Sequence, residues 1–214
     1  MTAPVLTVFD LDDTLIQKNI SFAFGSHLWK AGHIRLCSAL YCTSCYLRYK
    51  LLRPSMQKLH RRVLGRVLKR LPFRGLQDHV ERFLDKHLEQ LLYLPAVGRL
   101  REAQERGDHV MLLSGSPDFL VGPTARRLGV DDWEGTRYLV DKNDRLSAIE
   151  MFMEGKAKAK RALARANALR LKMIHAFSDS ADDLPLFEVA GRAIGVRPDK
   201  RLRNICKERG WEVI

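Results

Sequence analysis

The stretch VLTVFDLDDT, residues 5–14, decides how the chain is organised. Its first half, Val5–Phe9, is a short apolar run of the kind found in buried strands. Its second half places Asp10, Asp12 and Asp13 directly after that run. Residues that follow a buried strand lie at its carboxyl end, which is where open parallel sheets bind their ligands. The stretch therefore predicts a central strand with a candidate functional site at its end.

Beyond residue 95 the chain alternates between strand and helix patterns. Further strands are predicted at His109–Ser114, Tyr138–Val140, Leu146–Ile149, Met173–Phe177, Ala193–Val196 and Trp211–Ile214, the second and third of them forming a hairpin. Helices are predicted at Val97–Arg106, Pro117–Leu128, Lys156–Leu169, Leu184–Ala190 and Lys200–Arg209. This alternation indicates an α/β fold with a doubly wound, mainly parallel, Rossmann-like sheet.

The region between the first two strands is helical throughout. The pattern predicts two helices within Phe22–Leu52, broken near Gly32, and two amphipathic helices at Ser55–Leu71 and Gly75–Leu92. We interpret this region as an inserted α-helical cap. The predicted organisation is an α/β core of residues 1–16 and 94–214 with a cap of residues 17–93.

The cap carries almost all of the excess positive charge. The chain has 37 Lys and Arg against 25 Asp and Glu, a net charge of +12, and no acidic residue occurs from Thr14 to Gln77. Thirteen basic residues fall in that acid-free segment: Lys18, Lys30, Arg35, Arg48, Lys50, Arg53, Lys58, Arg61, Arg62, Arg66, Lys69, Arg70 and Arg74. Such asymmetry is typical of a surface facing phospholipid headgroups, nucleic acid or a phosphorylated substrate, and also of a solvated face.

Composition excludes several classes of protein. A hydrophobic fraction of 46% supports a packed core, and no stretch approaches the ~20 apolar residues of a membrane span. Met1–Pro4 lacks the basic start of a secretory signal, so a cytoplasmic location is expected. The spacing of Cys37, Cys42, Cys45 and Cys206 formally matches a plant-type iron–sulfur pattern, but the first three fall in a predicted helix. We therefore predict buried free thiols in a reducing compartment.

Two other strand ends carry polar residues. Ser114-Gly115-Ser116 ends the second strand, and Ser178–Asp183, with three aspartates, follows the strand ending at Phe177. Parallel strand ends meet at one edge of a sheet, so these groups should converge with Asp10. Crowded carboxylates need a cation between them or a shared proton. A divalent ion with oxygen ligands, Mg²⁺, is the expected cofactor.

Four segments, in order, resemble the four signatures of the haloacid dehalogenase superfamily. They are Phe9–Leu15, Ser114 in LLSGSP, Lys156 in EGK, and Asp179–Asp183. The helical insertion between the first two resembles that of the phosphoserine-phosphatase-like branch. The resemblance covers essentially the whole chain and implies a Mg²⁺-dependent phosphomonoester hydrolase.

The resemblance also implies residue roles. Asp10 would attack phosphorus to form an aspartyl-phosphate, and Asp12 would act as general acid and then general base. The remaining roles are phosphate binding by Ser114, Gly115 and Lys156, metal binding by Asp10, the backbone carbonyl of Asp12 and Asp179, and support of these ligands by Asp183 and Thr14. Lys158 and Lys160 are alternatives to Lys156.

The substrate is open at this level. Phosphoserine phosphatases carry a glutamate shortly after the first signature, whereas residues 17–21 here contain no acid. The candidates are a small phosphorylated metabolite, such as histidinol phosphate or a sugar phosphate, and a phospholipid headgroup phosphate, with the basic cap resting on the inner face of an anionic membrane. Nucleic acid is not expected as a partner, and the oligomeric state is undetermined. Alternatives are a membrane- or nucleic-acid-binding adaptor on an inactive scaffold, a phosphotransferase, and a dehalogenase using the same nucleophile.

Overall fold

A computed structural model describes residues 5–52, 55–130 and 132–214. Met1–Pro4 and Arg53 lie outside the described residues, as do the side chains of Lys50 and Arg70. The strands are β1 (Val5–Phe9), β2 (His109–Pro117), β3 (Asp132–Val140), β4 (Leu146–Met151), β5 (Met173–Ser178), β6 (Arg192–Gly195) and β7 (Glu212–Val213). They form a single sheet in the order β4-β3-β2-β1-β5-β6-β7.

The sheet is parallel except for the hairpin. Strand β1 pairs in parallel with β2 on one side and β5 on the other, and only β3 and β4 pair antiparallel among the described strands. The chain builds outward from β1 first through β2 to β4 and then through β5 to β7. The doubly wound, mainly parallel α/β sheet is therefore confirmed.

Nine helices are described. They are α1 (Ile20–Lys30), α2 (Leu36–Leu52), α3 (Met56–Arg66), α4 (Phe73–Leu91), α5 (Leu94–Glu105), α6 (Asp118–Arg127), α7 (Gly155–Ala168), α8 (Leu184–Val189) and α9 (Lys200–Arg209). The prediction of one helix over Ser55–Leu71 is wrong at its end, because α3 stops at Arg66 and only a single turn, Leu68–Arg70, follows. Leu71 is extended, as expected for a residue that precedes proline.

The third strand is longer than its sequence pattern predicts. It begins at Asp132 instead of Tyr138 and passes through Gly135, a residue that weakens strands. A Cβ on Gly135 would lie 2.9 Å from the carbonyl oxygen of Ser116, so the glycine allows a close approach of β2 and β3. A backbone approach of this kind is a tertiary feature that periodicity does not report.

Alternating side chains of the central strands bury both faces of the sheet. Leu6, Val8 and Met111 belong to one hydrophobic cluster, whereas Phe9 and Leu112 belong to another. The second cluster extends without a break into the cap, where its members include Phe24, Leu28, Val80, Phe83 and Leu84. The cap helices therefore share one interior with one face of the core, and the division into residues 17–93 and the rest stays a prediction.

Gly122 of α6 lets that helix pack against β3. A Cβ at this position would overlap the Trp133 ring. We expect Gly122→Ala to lower the free energy of unfolding by about 1–3 kcal/mol, measured by urea denaturation, because the ring has to move out of a packed site. The matched control is Gly98→Ala in α5, where a Cβ meets nothing within 4 Å. That change should stabilise the protein by about 0.5–1 kcal/mol. Equal effects of the two substitutions would contradict the packing argument.

Candidate active site

The three central strands bring their polar ends together. Phe9 pairs with Leu112 of β2 and with Phe177 of β5, so Asp10 lies beside Ser178, and Ser114 comes one residue further along β2. The Asp10 amide donates a hydrogen bond to the Phe177 carbonyl at 2.9 Å, which continues the β1–β5 ladder by one residue. Asp10 is thus held at the carboxyl end of the sheet by its own backbone.

The loop after β1 turns sharply through Asp13, whose φ of 56° lies in the left-handed region. Arg197 holds this turn, because its Nη2 donates to the Asp13 carbonyl at 2.8 Å and to the Ile16 carbonyl at 3.3 Å. The same guanidinium lies 4.2 Å from the centroid of the Tyr93 ring. Sequence reasoning missed Arg197, which lies 184 residues from Asp13 and carries no local signal.

A buried lysine connects two of the predicted carboxylates. Lys158 Nζ lies 2.8 Å from Asp10 Oδ1 and 2.7 Å from Asp183 Oδ2, and all three side chains are less than a tenth exposed. Ser178 Oγ also donates to Asp183 Oδ2 at 2.7 Å. The result is a closed arrangement in which one cation faces two carboxylates.

The lysine that reaches the site is Lys158, so the choice of Lys156 is corrected. Lys156 is exposed, although it lines the outer part of the cavity. Lys160 is exposed as well. Helical spacing was the available signal: Lys158 lies four residues from Ala162 and eight from Ala166, which form the buried face of α7.

Gly155 sets how closely α7 approaches the loop that carries Asp183. A Cβ on Gly155 would collide with the backbone carbonyl of Asp182. Only glycine fits at this contact, and the contact brings the first turn of α7, with Lys158, next to the loop after β5. We therefore assign Gly155 a structural role in placing Lys158.

Asp12 lies in a network of hydroxyl groups. Its Oδ2 accepts hydrogen bonds from Ser116 Oγ at 2.7 Å and Ser114 Oγ at 3.2 Å, and its Oδ1 accepts from the Ile20 amide at 2.6 Å. Ser116 Oγ lies 2.9 Å from Ser21 Oγ of α1. Asp12 is therefore bonded to both the sheet and the first helix of the cap.

The structure brings together most of the predicted site residues but changes the place of Ser114. That side chain is fully buried beneath Asp12, whereas Gly115 and Ser116 line the cavity. The role given to Ser114 in phosphate binding stays a prediction. Of the two serines, Ser116 is the one whose side chain lines the cavity. Thr14 Oγ1 donates to Asp179 Oδ1 at 3.3 Å, in keeping with a supporting position.

Burial and mutual repulsion dominate the electrostatics of the carboxylates. Burial raises the pKa of Asp10 to about 7, even though Lys158 acts to lower it. Burial also raises the pKa of Asp12, against the hydrogen bonds from Ser116 and Ile20. The pKa of Asp179 is raised well above its usual value by burial and then by the charges of Asp10 and other neighbouring aspartates. In Lys158, burial alone would lower the pKa, but the two carboxylates outweigh it and hold the pKa above its usual value.

This donor set fits Mg²⁺. No group of three or more His, Cys, Asp or Glu side chains in the described parts of the chain is placed to hold a metal by itself. Mg²⁺ does not require one, since it is usually bound by one or two carboxylates and keeps several waters. Asp10 and Asp179 repel each other electrostatically. The backbone carbonyl of Asp12 is the third oxygen that the family resemblance implies, and the Asp12 side chain accepts a hydrogen bond from Ser116. A divalent cation between Asp10 and Asp179 would remove that repulsion.

A cavity of about 860 Å³ opens above these residues. Asp10, Asp12 and Lys158 line one end, and apolar residues of α1, α2 and α3 line much of the rest. The basic residues of the acid-free segment whose side chains are described do not line this cavity. All ten of them are exposed. The basic surface therefore faces solvent and does not face the site.

The cysteines are free and do not form a cluster. Cys37, Cys42 and Cys45 lie on α2, while Cys206 of α9 belongs to the hydrophobic cluster on the other face of the sheet. The expectation of buried thiols is confirmed for Cys45 and Cys206 and wrong for Cys37, which is exposed, while Cys42 is half-buried. Within the described residues, no helix combines the length and the apolar character that crossing a membrane requires.

Comparisons with known proteins identify the family and agree with the fold. A sequence model of the haloacid dehalogenase-like hydrolase family matches residues 7–188. A probable phosphatase of Mycobacterium tuberculosis is 29% identical over 211 residues, which cover 96% of this chain and 73% of that protein. A phosphoserine phosphatase of the same organism is 29% identical over 218 residues, covering 96% and 68%. The crystal structure of a Bordetella pertussis protein of unknown function superposes with a TM-score of 0.89 at 25% identity, covering 100% and 99% of the two chains.

The buried lysine gives a direct test of the site electrostatics. We expect Lys158→Met to lower the free energy of unfolding by about 3–5 kcal/mol at pH 8 without divalent cations, because two buried carboxylates lose their counter-charge. The deficit should shrink as the pH falls towards 5. With no lysine the folded-state pKa of Asp10 stays above its unfolded value, so proton uptake favours the folded variant. Urea denaturation across this pH range measures both effects.

The matched control for this test is Lys156→Met, two residues away and exposed. It should change the free energy of unfolding by no more than about 0.5 kcal/mol at either pH. Equal losses in the two variants would show that Lys158 does not hold the carboxylates together.

Proposed function

This chain belongs to the haloacid dehalogenase-like hydrolase family and is a phosphatase of that family. We propose that it hydrolyses phosphomonoesters through a phosphoryl group that Asp10 carries covalently. The observation that carries the proposal is the position of Asp10, which is paired with Lys158 and lines a large cavity together with Asp12. A carboxylate in such a place can act as a nucleophile.

The first step transfers the phosphoryl group to the protein. The hydrogen bond from Lys158 engages Oδ1 of Asp10, and we assign the attack on phosphorus to Oδ2. The new Oδ2–P bond forms as the bond from phosphorus to the ester oxygen breaks, and Asp12 gives its proton to the departing oxygen. The raised pKa of Asp12 suits this role, since the group must hold a proton at that moment.

The second step regenerates the carboxylate. Asp12, now ionised, accepts a proton from a water molecule whose oxygen attacks phosphorus, and the Oδ2–P bond breaks to release inorganic phosphate. Lys158 and the groups at the end of β2, Gly115 and Ser116, are placed to offset the charge of the transferring phosphoryl group. Transfer to an acceptor other than water would share the first step entirely.

Mg²⁺ is the proposed cofactor. It would be held by the carboxylates of Asp10 and Asp179 and the carbonyl of Asp12, with Thr14 and Asp183 orienting these groups. When bound, the ion supplies positive charge that lowers the repulsion between nucleophile and phosphate. The donor set supports this choice because all of its atoms are oxygens.

The exposed face of the cap supports peripheral contact with an anionic membrane as a secondary proposal. Leu47 and Leu51 of α2 are 53% and 79% exposed, and exposed basic residues, among them Arg35 and Arg48, belong to the same part of the chain. Apolar side chains flanked by cations suit a surface of anionic headgroups. Such contact would place the protein at the cytoplasmic face of a membrane.

Removal of the nucleophile tests the proposal. Asp10→Asn should lower the hydrolysis of p-nitrophenyl phosphate with Mg²⁺ by about 10³-fold or more, while leaving the circular dichroism spectrum unchanged. Asp78→Asn on the exposed side of α4 is the matched control and should keep full activity. Activity of the unaltered protein should vanish with a chelator and return with Mg²⁺. Full activity in Asp10→Asn would remove Asp10 from the mechanism.

The dual role of Asp12 makes a separate kinetic prediction. Nitrophenolate leaves without needing a proton, so in Asp12→Asn the first step with p-nitrophenyl phosphate should survive better than the water-dependent second step. We expect a burst of about one nitrophenolate per protein molecule followed by slow turnover, seen by stopped-flow absorbance. With an alkyl phosphate, whose leaving oxygen needs a proton, the burst should be absent. Loss of activity without any burst would assign Asp12 to binding alone.

A further inference from the structure

The cavity is much larger than a phosphoryl group requires. At about 860 Å³ it lies near the upper end of the range for small-molecule pockets, about 300–1,000 Å³. The catalytic groups occupy one end, and the cavity continues from there between the cap helices. The leaving alcohol of the substrate therefore has a large volume to fill.

The described charged residues of the lining come from the core and not from the cap. Among the described lining residues, every Asp, Glu and Lys either follows β1 directly or lies at residue 154 or beyond. The cap contributes no Asp, Glu, Lys or Arg to the described lining. Its titratable His60 is buried, lies 2.7 Å from the Tyr138 hydroxyl through Nδ1, and has a pKa lowered to about 4 by that burial, so it is neutral at pH 7. The cap half of the cavity thus carries no formal charge among the described residues.

Most of the described cap residues that line the cavity are apolar, and the polar ones, among them Ser26, Thr43 and Ser55, carry no formal charge. Five buried apolar side chains of the cap line the cavity, and two of α6 join them: Phe24, Leu28, Ile34, Val67 and Leu68, with Phe119 and Leu120. Four large apolar side chains both line the cavity and are exposed, which marks its mouth: Phe22, Trp29, Leu36 and Leu40. Exposed apolar groups in one patch usually mark a site that binds an apolar partner.

Resting on the proposed function, we infer that the substrate is a phosphomonoester whose alcohol carries a long, uncharged apolar chain. Its phosphate would lie at Asp10 and its chain between α1, α2 and α3. An ammonium or carboxylate group on the alcohol would lose its hydration in the cap half of the cavity without gaining a partner of opposite charge. The same chemistry describes a free alkyl phosphate and a lipid phosphate.

Glu154 defines the competing substrate class. It lines the cavity where α7 meets the cap, and its Oε2 accepts a hydrogen bond from Gln57 of α3 at 3.3 Å. A carboxylate at that boundary could instead hold an ammonium group, as phosphoserine would require. Phosphoserine therefore serves as the competitor in the test.

The test compares kcat/KM for butyl, hexyl and octyl phosphate, all below micelle-forming concentrations, with that for phosphoserine. Burial of each added methylene should raise kcat/KM by up to about fourfold, so octyl phosphate should exceed butyl phosphate by about 10²-fold. Calorimetric binding of octyl and butyl phosphate to Asp10→Asn protein should show the same order without turnover. A flat alkyl series, or phosphoserine turned over faster than octyl phosphate, would overturn the inference.

Two substitutions test where the alkyl chain of the substrate lies in the cavity. Gly25 and Ala39 line it, and a Cβ on Gly25 meets nothing within 4 Å. We expect Gly25→Leu and Ala39→Phe each to reduce the octyl-to-butyl ratio of kcat/KM at least tenfold, because the new side chains fill the volume that the chain would occupy. Gly65→Leu on the exposed side of α3 is the matched control and should leave the ratio unchanged. An unchanged ratio in both cavity variants would place the chain elsewhere and contradict the inference.

Further measurements distinguish a lipid substrate from a free alkyl phosphate. They also distinguish failure of this inference from failure of the proposed function. Phosphate release from phosphatidic acid in phosphatidylcholine vesicles assigns the source to a bilayer, whereas release from soluble octyl phosphate alone assigns it to free molecules, and release in neither arm overturns the inference. p-Nitrophenyl phosphate is the reference. If the protein hydrolyses it and the alkyl series is flat, only the inference fails. If the protein does not hydrolyse it with Mg²⁺, the proposed function fails as well.

Discussion

The contact of Lys158 with Asp10 and Asp183 is the interaction on which the site depends. Carboxylates buried at the end of a sheet repel one another and lose hydration, and a lysine buried among them supplies the missing charge. That arrangement requires three separate parts of the chain to be placed to within a hydrogen-bond length. Strand β1 fixes Asp10, the loop after β5 fixes Asp183, and the glycine at the start of α7 lets Lys158 come near both.

Charge is sorted by position over the rest of the molecule. The acidic groups of the site line the cavity, whereas the described basic residues of the acid-free segment are all exposed to solvent. Sorting of this kind follows from the free energy of burying an ion, which is unfavourable unless a partner of opposite charge is present. Because the cap has no acids to serve as partners up to Gln77, its cations remain at the surface and its interior is apolar. The excess of +12 is therefore a property of the outer surface, and the apolar interior is the property that bears on the substrate.

Local sequence patterns predicted the elements whose formation depends on local structure. Val5–Phe9 and Lys200–Arg209 agree with the structure to the residue, since one is a bounded apolar run and the other is an amphipathic helix that ends at Gly210. The predictions failed where a distant contact sets the boundary. Helix α3 ends early, and the chain beyond it bridges Arg145 at Pro72. Strand β3 extends through Gly135, where a Cβ would meet the Ser116 carbonyl of β2.

The sequence by itself determined the family and the fold class, because the signatures and the alternation of strands and helices are local patterns that each span a few residues. It also identified Asp10 and Asp179, since each directly follows a buried strand. Only the tertiary structure decided which of three nearby lysines enters, that Ser114 lies beneath Asp12 while Ser116 lines the cavity, and which way the basic residues face. These outcomes depend on distances between elements far apart in the chain, and such distances are set by packing, which no local pattern records.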